Sequence, residues 1–462
     1  MPAFDLIVIG SGPGGYRAAV LAALRGLKVA IAEQAQWGGT CLNRGCVPKK
    51  AWYATARVIA SREDFAARGI TGDLRADLAP AWTHQRAVVE RVRASYIDYL
   101  QRLGVHLVRG KACFENAGTI RVESERYTAG QVIVATGSRP LVPANLRGAG
   151  LRVLTTDDLF DRPPPAGRRV AVVGSGVIGT EFAFILAMLG LEVIWLMQNE
   201  PLARSGYSAP ALDTLGAAFT ALNIRPRTAS RVASVEPAGE RVAVTLPDGR
   251  REIVDWVLLG AGREPNTTGL DLAQAGVECD ARGFVRVNEH RRTTAATVYA
   301  IGDVANPAMT SNHALADAAV AVGNIIEPGS RRADPQAVPR VVYSALELAR
   351  IGLNEDEAEA RSLEPATGFA AFDSSPAALA EADARGFVRI VADLDTGGLL
   401  GAEIVGARAG ELIQIAGIEF GSETALARLA GMAYNHPARA EEILNAVETL
   451  AARWGLRQKV FG

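Results

Sequence analysis

The sequence is short of the residues that define several protein classes. Only four of its 462 residues are cysteine and five are histidine, too few for a disulfide-stapled scaffold and too scattered for a tetrahedral zinc site. Net charge is also missing, since 49 lysines and arginines stand against 50 acids, leaving −1. That balance offers no field for nucleic acid or an anionic membrane surface, so neither partner is expected. Apolar runs stop short of the roughly eighteen residues a spanning helix needs. The chain opens Met1-Pro2-Ala3-Phe4-Asp5 and enters an apolar strand at once. With no charged segment and cleavable hydrophobic stretch before it, a soluble, cytoplasmic protein is expected. What the chain does have is glycine, 47 residues, beside 49% hydrophobic residues. At about 150 residues per domain, some three domains are expected, and the glycines suit an α/β architecture with many strand-to-helix turns.

Two of the four cysteines share one stretch, Gly38-Gly39-Thr40-Cys41-Leu42-Asn43-Arg44-Gly45-Cys46-Val47-Pro48-Lys49-Lys50. Thiols this close can form a reducible disulfide. The apolar run 51–60 is expected to be a helix, whose N-terminal dipole would lower the pKa of a neighbouring thiol. In a reducing compartment the pair reads as redox chemistry; a structural disulfide or half a zinc site is the alternative, and no Cys/His cluster completes the latter. No metal is expected.

A strand at 6–9 leads into Gly10-Ser11-Gly12-Pro13-Gly14-Gly15, then a helix at 16–26, a strand at 27–32 and Glu33 at its end. Glycines at these spacings let backbone approach a pyrophosphate on the helix N-terminus, and the acid stands where a ribose hydroxyl would be bound. The same turn recurs at Gly174-Ser175-Gly176-Val177-Ile178-Gly179, between strands expected at 169–173 and 192–196. Arg162-Pro163-Pro164-Pro165-Ala166-Gly167 precedes it and reads as the linker where a new domain begins. At the position matching Glu33 stands Met197, followed by Gln198 and Asn199, so no carboxylate is available there. Glycine rather than alanine at the third glycine position, Gly179, mildly favours NAD, while Arg204, the nearest cation, keeps NADP open.

Three further strands end in small polar turns. Gln131 to Ala135 leads to Thr136-Gly137, Val257 to Leu259 leads toward Gly262-Arg263, and an expected strand at 298–304 contains Gly302-Asp303. Asp303 can accept a hydrogen bond from a ribityl or ribose hydroxyl, or simply cap a turn. Near the C-terminus His436 precedes Pro437, and Glu441 follows before a helix expected at 439–454. A carboxylate on that imidazole would fix its tautomer and raise its basicity, as an acid/base opposite a thiol requires. A helix-start histidine is the plainer reading.

In this order, the motifs resemble those of the class I pyridine nucleotide-disulfide oxidoreductases, dihydrolipoamide dehydrogenase especially. They are Gly10 to Gly15 with Tyr16, Gly39-Thr40-Cys41 through Cys46, Ala135-Thr136-Gly137, Gly174 to Gly179 with Glu181, Gly262-Arg263, Gly302-Asp303, and His436-Pro437 with Glu441. The resemblance implies two Rossmann-like dinucleotide-binding domains, for FAD and NAD(P), and a C-terminal α+β dimerisation domain. Their residues would be 1–148 completed by 271–336, 149–270, and 337–462. FAD would lie on Gly10, Gly12, Gly14, Gly15, Glu33, Gly39, Thr40, Thr136, Gly137, Gly302 and Asp303. The nicotinamide cofactor would lie on Gly174, Gly176, Gly179, Met197, Gly262 and Arg263. Cys41 would be the thiol exchanging with substrate and Cys46 the flavin-contacting, charge-transfer thiol. Lys50, with Lys49 as the other possibility, would pair with Glu181, and His436, held by Glu441, would serve the partner subunit's cysteines in a homodimer. The implied activity is oxidation of a lipoyl protein's dithiol by NAD. Departures leave alternatives open: Val47-Pro48-Lys49-Lys50 looks like glutathione reductase, yet Val20 stands where a glutathione-binding arginine would be. Thr310-Ser311-Asn312-His313-Ala314 replaces a more usual Leu-Ala-His-Lys-Ala. An NADPH-driven reductase of a small disulfide and a non-catalytic redox-sensing flavoprotein are the other readings. Arg44, where valine is usual, is expected to raise the thiolate fraction of the pair or to favour an acidic partner.

Overall fold

The computed structural model describes residues 1–462. Leu6, Ile7, Val8 and Ile9 are all buried, the mark of a strand covered on both faces, and they form most of β1 (Ala3–Ile9). Helix α1 (Pro13–Leu24) opens with proline at its first position, where a missing N–H costs nothing. It returns the chain to β2 (Val29–Glu33), parallel to β1 with Ile9 beside Ala32. The sheet reads His106–Arg109, β2, β1, Glu125–Val134, Thr119–Val122, Ala112–Asn116, and Val298–Ala300 joins it beside Glu125–Val134. Register aligns Ile9 with Val134 and Val134 with Ala300. The turns that follow, at Gly10, Thr136 and Gly302, therefore meet at one carboxyl edge, where parallel sheets bind ligands.

A second parallel sheet repeats the plan with Pro226–Arg227, Glu192–Leu196, Arg169–Val173, Trp256–Leu259 and Val153–Leu154. The last of these precedes the three prolines, so Pro163 to Pro165 form a loop inside this unit rather than the entrance to it. A ribbon pairing Arg263–Pro265 with Ser138–Pro140 ties the two sheets together. The third sheet is antiparallel, Arg340–Tyr343, Glu347–Gly352, Leu399–Val405, Phe387–Asp393, Pro365–Ala371, with helices Ala409–Glu419 and Glu441–Arg453 packed on it. No helix is long and apolar enough to cross a membrane.

The cysteine stretch is helical almost throughout. Short α2 (Gly39–Arg44) stops at Gly45, whose backbone (φ −134°, ψ −109°) is not helical, and α3 (Cys46–Ala60) starts at the second cysteine itself. The expected helix thus begins five residues early, and Cys46 sits in its first turn. Further along α3, Trp52 and Tyr53 are buried in a core shared with the second sheet (Trp256), the helix Val177–Met188 that follows its phosphate turn (Phe184), and the third sheet (Leu348). Burying a large apolar side chain stabilises by about 1.5–3 kcal/mol, so this core fixes the redox helix against both.

The two phosphate turns have the same steric plan. Gly10 and Gly174 have φ of +101° and +129°, and a Cβ there would lie 2.4 and 2.5 Å from a carbonyl oxygen of the neighbouring strand's turn. At Gly15 and Gly179 a Cβ would stand 1.9 and 2.0 Å from the turn's own first carbonyl, which is what brings helix and strand so close. At Gly12 and Gly176 it would meet nothing within 4 Å. Gly179→Ala should therefore destabilise the protein by about 1–3 kcal/mol, the usual cost of overpacking, whereas Gly176→Ala should leave stability unchanged, both read from denaturant unfolding midpoints.

Candidate redox site

Cys41 and Cys46 are both free thiols and face the same cleft, a cavity of about 1640 Å³. They are hydrogen-bonded to each other and divide one proton unequally. The bond from Cys41 is the largest influence on Cys46; with help from the Ser311 hydroxyl and the Lys49 charge it outweighs burial and pulls the Cys46 thiol down to about 6. The same bond, together with burial, pushes Cys41 well up. Ser311 Oγ lies 3.2 Å from Cys46 Sγ. The α3 dipole acts in the same direction, since Cys46 is at its positive end. Above pH about 6 the reduced pair thus carries its anion on Cys46 and its proton on Cys41.

The lysine paired with Glu181 is Lys49, not Lys50. Lys49 Nζ meets Glu181 Oε1 at 2.8 Å with both side chains largely buried, and the same oxygen accepts the Tyr343 N–H at 2.9 Å. Lys50, next on the helix, points about 100° away and lies over the rings of Tyr343 (3.6 Å) and Tyr53 (5.2 Å). Arg44 also departs from expectation. Its guanidinium turns to the acids of helix Thr156–Asp161, 2.7 Å from Asp161 and 3.9 Å from Asp157, and is not among the charges acting on either thiol.

Around the rest of the cavity the dinucleotide turns are arranged as the spacing suggests. Glu33 is buried and holds the first turn, its Oε2 accepting from Ser11 N–H (3.0 Å) and Ser11 Oγ (2.7 Å) and its Oε1 from Ala35 N–H. Gly10, Gly12, Gly14, Gly39, Thr40, Thr136, Gly137, Gly302 and Asp303 line the same cavity, and Gly15 supports it from below by its contact with Gly10. Asp303 is on a 3-10 turn (Gly302–Val304) rather than in the strand, which ends at Ala300. Burial pushes its carboxyl up, and Ser138 Oγ donates to it at 2.6 Å. Arg263 spends its guanidinium on Ser138, donating from Nε to Oγ (2.7 Å) and from a terminal nitrogen to the carbonyl (2.8 Å). It lines the cavity but also braces the two sheets.

On the second sheet Gly176 and Gly262 line the cavity, with Gly174 and Gly179 closing the turn behind. Met197 does not reach it. Its side chain is 2% exposed and packs in the core, so it cannot be the ribose contact; Gln198, Asn199 and Glu200 are the exposed residues there, and Arg204 lines the cavity. An open cradle faces Gly12, glycine backbone stands at a helix N-terminus, and a buried carboxylate closes the far end of the first turn. These features fit an extended dinucleotide at the first sheet.

His436 is elsewhere. Its side chain is 72% exposed on the third unit, bonded from Nδ1 to Glu441 Oε1 at 2.8 Å, and it does not line this cavity. Backbone N–H of Ala438 and then His436 hold the Glu441 carboxyl below its ordinary value. Sequence reasoning passed over several cavity residues. Ser311 was visible only as a departure from a family pattern, and Tyr343 and His84 carry no local signal, because they arrive from distant elements.

Residues 4–323 match the pyridine nucleotide-disulphide oxidoreductase family and residues 338–447 its dimerisation domain. The chain belongs to the class I pyridine nucleotide-disulfide oxidoreductases, flavoproteins that use FAD and NAD(P), and the second match supports a homodimer. It is 34% identical to a dihydrolipoyl dehydrogenase of Thermus scotoductus, over 97% of this chain and 98% of that one. It is equally, 34%, identical to a glutathione reductase of Burkholderia cepacia, over 96% and 98%. Among solved structures, LpdA of Mycobacterium tuberculosis superposes with a TM-score of 0.89 at 25% identity, over 97% of this chain and 99% of that one.

With Lys49 acting on Cys46 and neither Lys50 nor Arg44 doing so, three substitutions separate cleanly. Lys49→Met should move the thiolate titration of the reduced pair upward from about 6, followed by absorbance near 240 nm in the apoprotein. Lys50→Met and Arg44→Val should leave that titration in place.

Proposed function

We propose that the protein is a homodimeric flavoenzyme that oxidises a protein-borne dihydrolipoyl dithiol. In this reading residues 1–148 and 271–336 hold FAD, 149–270 the nicotinamide nucleotide, and 337–462 the dimer contact. The observation that carries the reading is the pair of thiols facing one cleft, with Cys46 at the α3 N-terminus, 3.2 Å from the Ser311 hydroxyl. From the oxidised Cys41–Cys46 disulfide, a substrate thiolate attacks Cys41 Sγ and Cys46 leaves as the anion. The second substrate thiolate then attacks the substrate sulfur bound to Cys41, closing the substrate disulfide and releasing Cys41. Two electrons have moved to the cysteine pair. His436 of the partner subunit, oriented by its own Glu441, takes the proton from each attacking thiol in turn, returns one to Cys41 and releases the other to solvent. FAD, held on the turns at Gly10 to Gly15, Thr136-Gly137 and Gly302-Asp303, would supply two-electron acceptance from the dithiol and hydride exchange with the nicotinamide. Lys49, paired with Glu181, and Ser311 stabilise the Cys46 anion, Glu181 partly offsetting what Lys49 contributes.

Two observations bear on substrate. Val20 is buried in α1, so no charge stands there to bind a glycine carboxylate of glutathione. Tyr16 and Tyr96 stack with centroids 4.1 Å apart, and burial followed by the charges of Cys41 and Cys46 pushes the Tyr96 phenol up, which places that aromatic pair beside the dithiol. A second reading, NADPH-driven reduction of a small disulfide, is favoured by Arg204 in the cavity and the missing carboxylate at Met197. Steady-state turnover decides between them: dihydrolipoamide with NAD should exceed oxidised glutathione with NADPH by at least tenfold in kcat/KM, and faster turnover of the glutathione pair would overturn the assignment.

A further inference from the structure

The segment carrying His436 has no regular structure between helices Ala425–Gly431 and Glu441–Arg453. The imidazole itself is bonded only to Glu441, the first residue of the helix that follows. Its direction therefore depends on how the segment enters that helix and on what fixes the segment to the rest of the fold. Upstream, Tyr434 donates to Leu429 carbonyl at 3.0 Å, which is also local. Downstream is an arginine where the chain would be expected to place a helical surface residue. Arg439 is 3% exposed, its guanidinium lies over the Phe372 ring at 5.2 Å, Nε donates to Glu381 at 3.0 Å, and a terminal nitrogen donates to the Asp383 carbonyl. These are the long-range polar ties of the segment. They also explain why the helix expected from 439 starts at Glu441: residue 439 must turn inward before the helix begins.

We propose that Arg439 is the positioning residue for His436, clamping its loop onto residues 381–383 so that the imidazole projects at a fixed angle toward the partner subunit's cysteines. The proposal rests on the reading of His436 as the acid/base of dithiol exchange. Residues 381–383 are joined in turn to the redox helix, since the Asp383 carboxylate stands 3.8 Å from Arg57 on α3. One buried tie thus connects the helix carrying a subunit's own Cys46 to the loop it lends to its partner.

The test uses the dimeric holoenzyme and its two half-reactions. Reduction of the oxidised enzyme by dihydrolipoamide requires His436, whereas reduction of bound FAD by NAD(P)H does not. Arg439→Gln should slow the first by about a hundredfold, the effect of misplacing a catalytic group by an ångström, and leave the second unchanged. Placed on His436→Gln, it should add no further loss. Equal loss in both half-reactions, or losses that multiply with His436→Gln, would make Arg439 merely structural and overturn the proposal. If Arg439→Gln does not form a dimer, Glu381→Gln loosens the same clamp and should show the same selective loss; its absence is equally fatal. If His436→Gln leaves the dithiol half-reaction untouched, the acid/base reading falls and this proposal with it. If His436→Gln slows that step and Arg439→Gln does not, only the proposal falls.

Discussion

Cys46 and Cys41 share a hydrogen bond at the first turn of α3, and the proton in it stays with Cys41. Much of the surrounding structure serves that asymmetry. Gly45 breaks the helix between the two cysteines so that Cys41 lies within a short helix and Cys46 begins a long one. The dipole of the second helix, the Ser311 hydroxyl and the Lys49 ammonium then act on Cys46, while Glu181 limits what Lys49 contributes. Trp52 and Tyr53, two turns along, are buried against two other sheets, which keeps the helix end where these groups meet.

The same economy of geometry recurs at the dinucleotide turns. A single register, Ile9 beside Val134 beside Ala300, brings three turns from distant parts of the chain to one edge. The second sheet does the same with Val173, Leu196 and Leu259. Cofactor chemistry can therefore be delivered to one cleft from two sheets, with Arg263 and Ser138 bracing the joint.

The first-sheet glycines, Glu33 and the cysteine pair were legible in the sequence because each depends on neighbours within one strand-turn-helix unit. What was not legible depends on side-chain direction. Lys49 and Lys50 are consecutive on a helix, and only the 100° between them decides which meets Glu181. Arg44 is drawn off by Asp161, more than a hundred residues away, and Met197 turns inward because the strand before it continues its burial pattern. The linker reading of Pro163 to Pro165 failed for a similar reason: Val153–Leu154 is only two residues long and shows no pattern, yet it pairs into the second sheet ahead of them. His436 was legible as a paired imidazole, but its distance from the cleft of its own chain appears only in three dimensions.

The central claim is that substrate electrons reach the cysteine pair and leave an anion on Cys46. Anaerobic mixing of the oxidised FAD-loaded dimer with one equivalent of dihydrolipoamide per subunit tests it directly. A long-wavelength charge-transfer band should appear at pH 7.5 and fade as pH falls through about 6, the range in which Cys46 gains its proton. Loss of flavin absorbance with no such band, or a band indifferent to that pH change, would contradict the account.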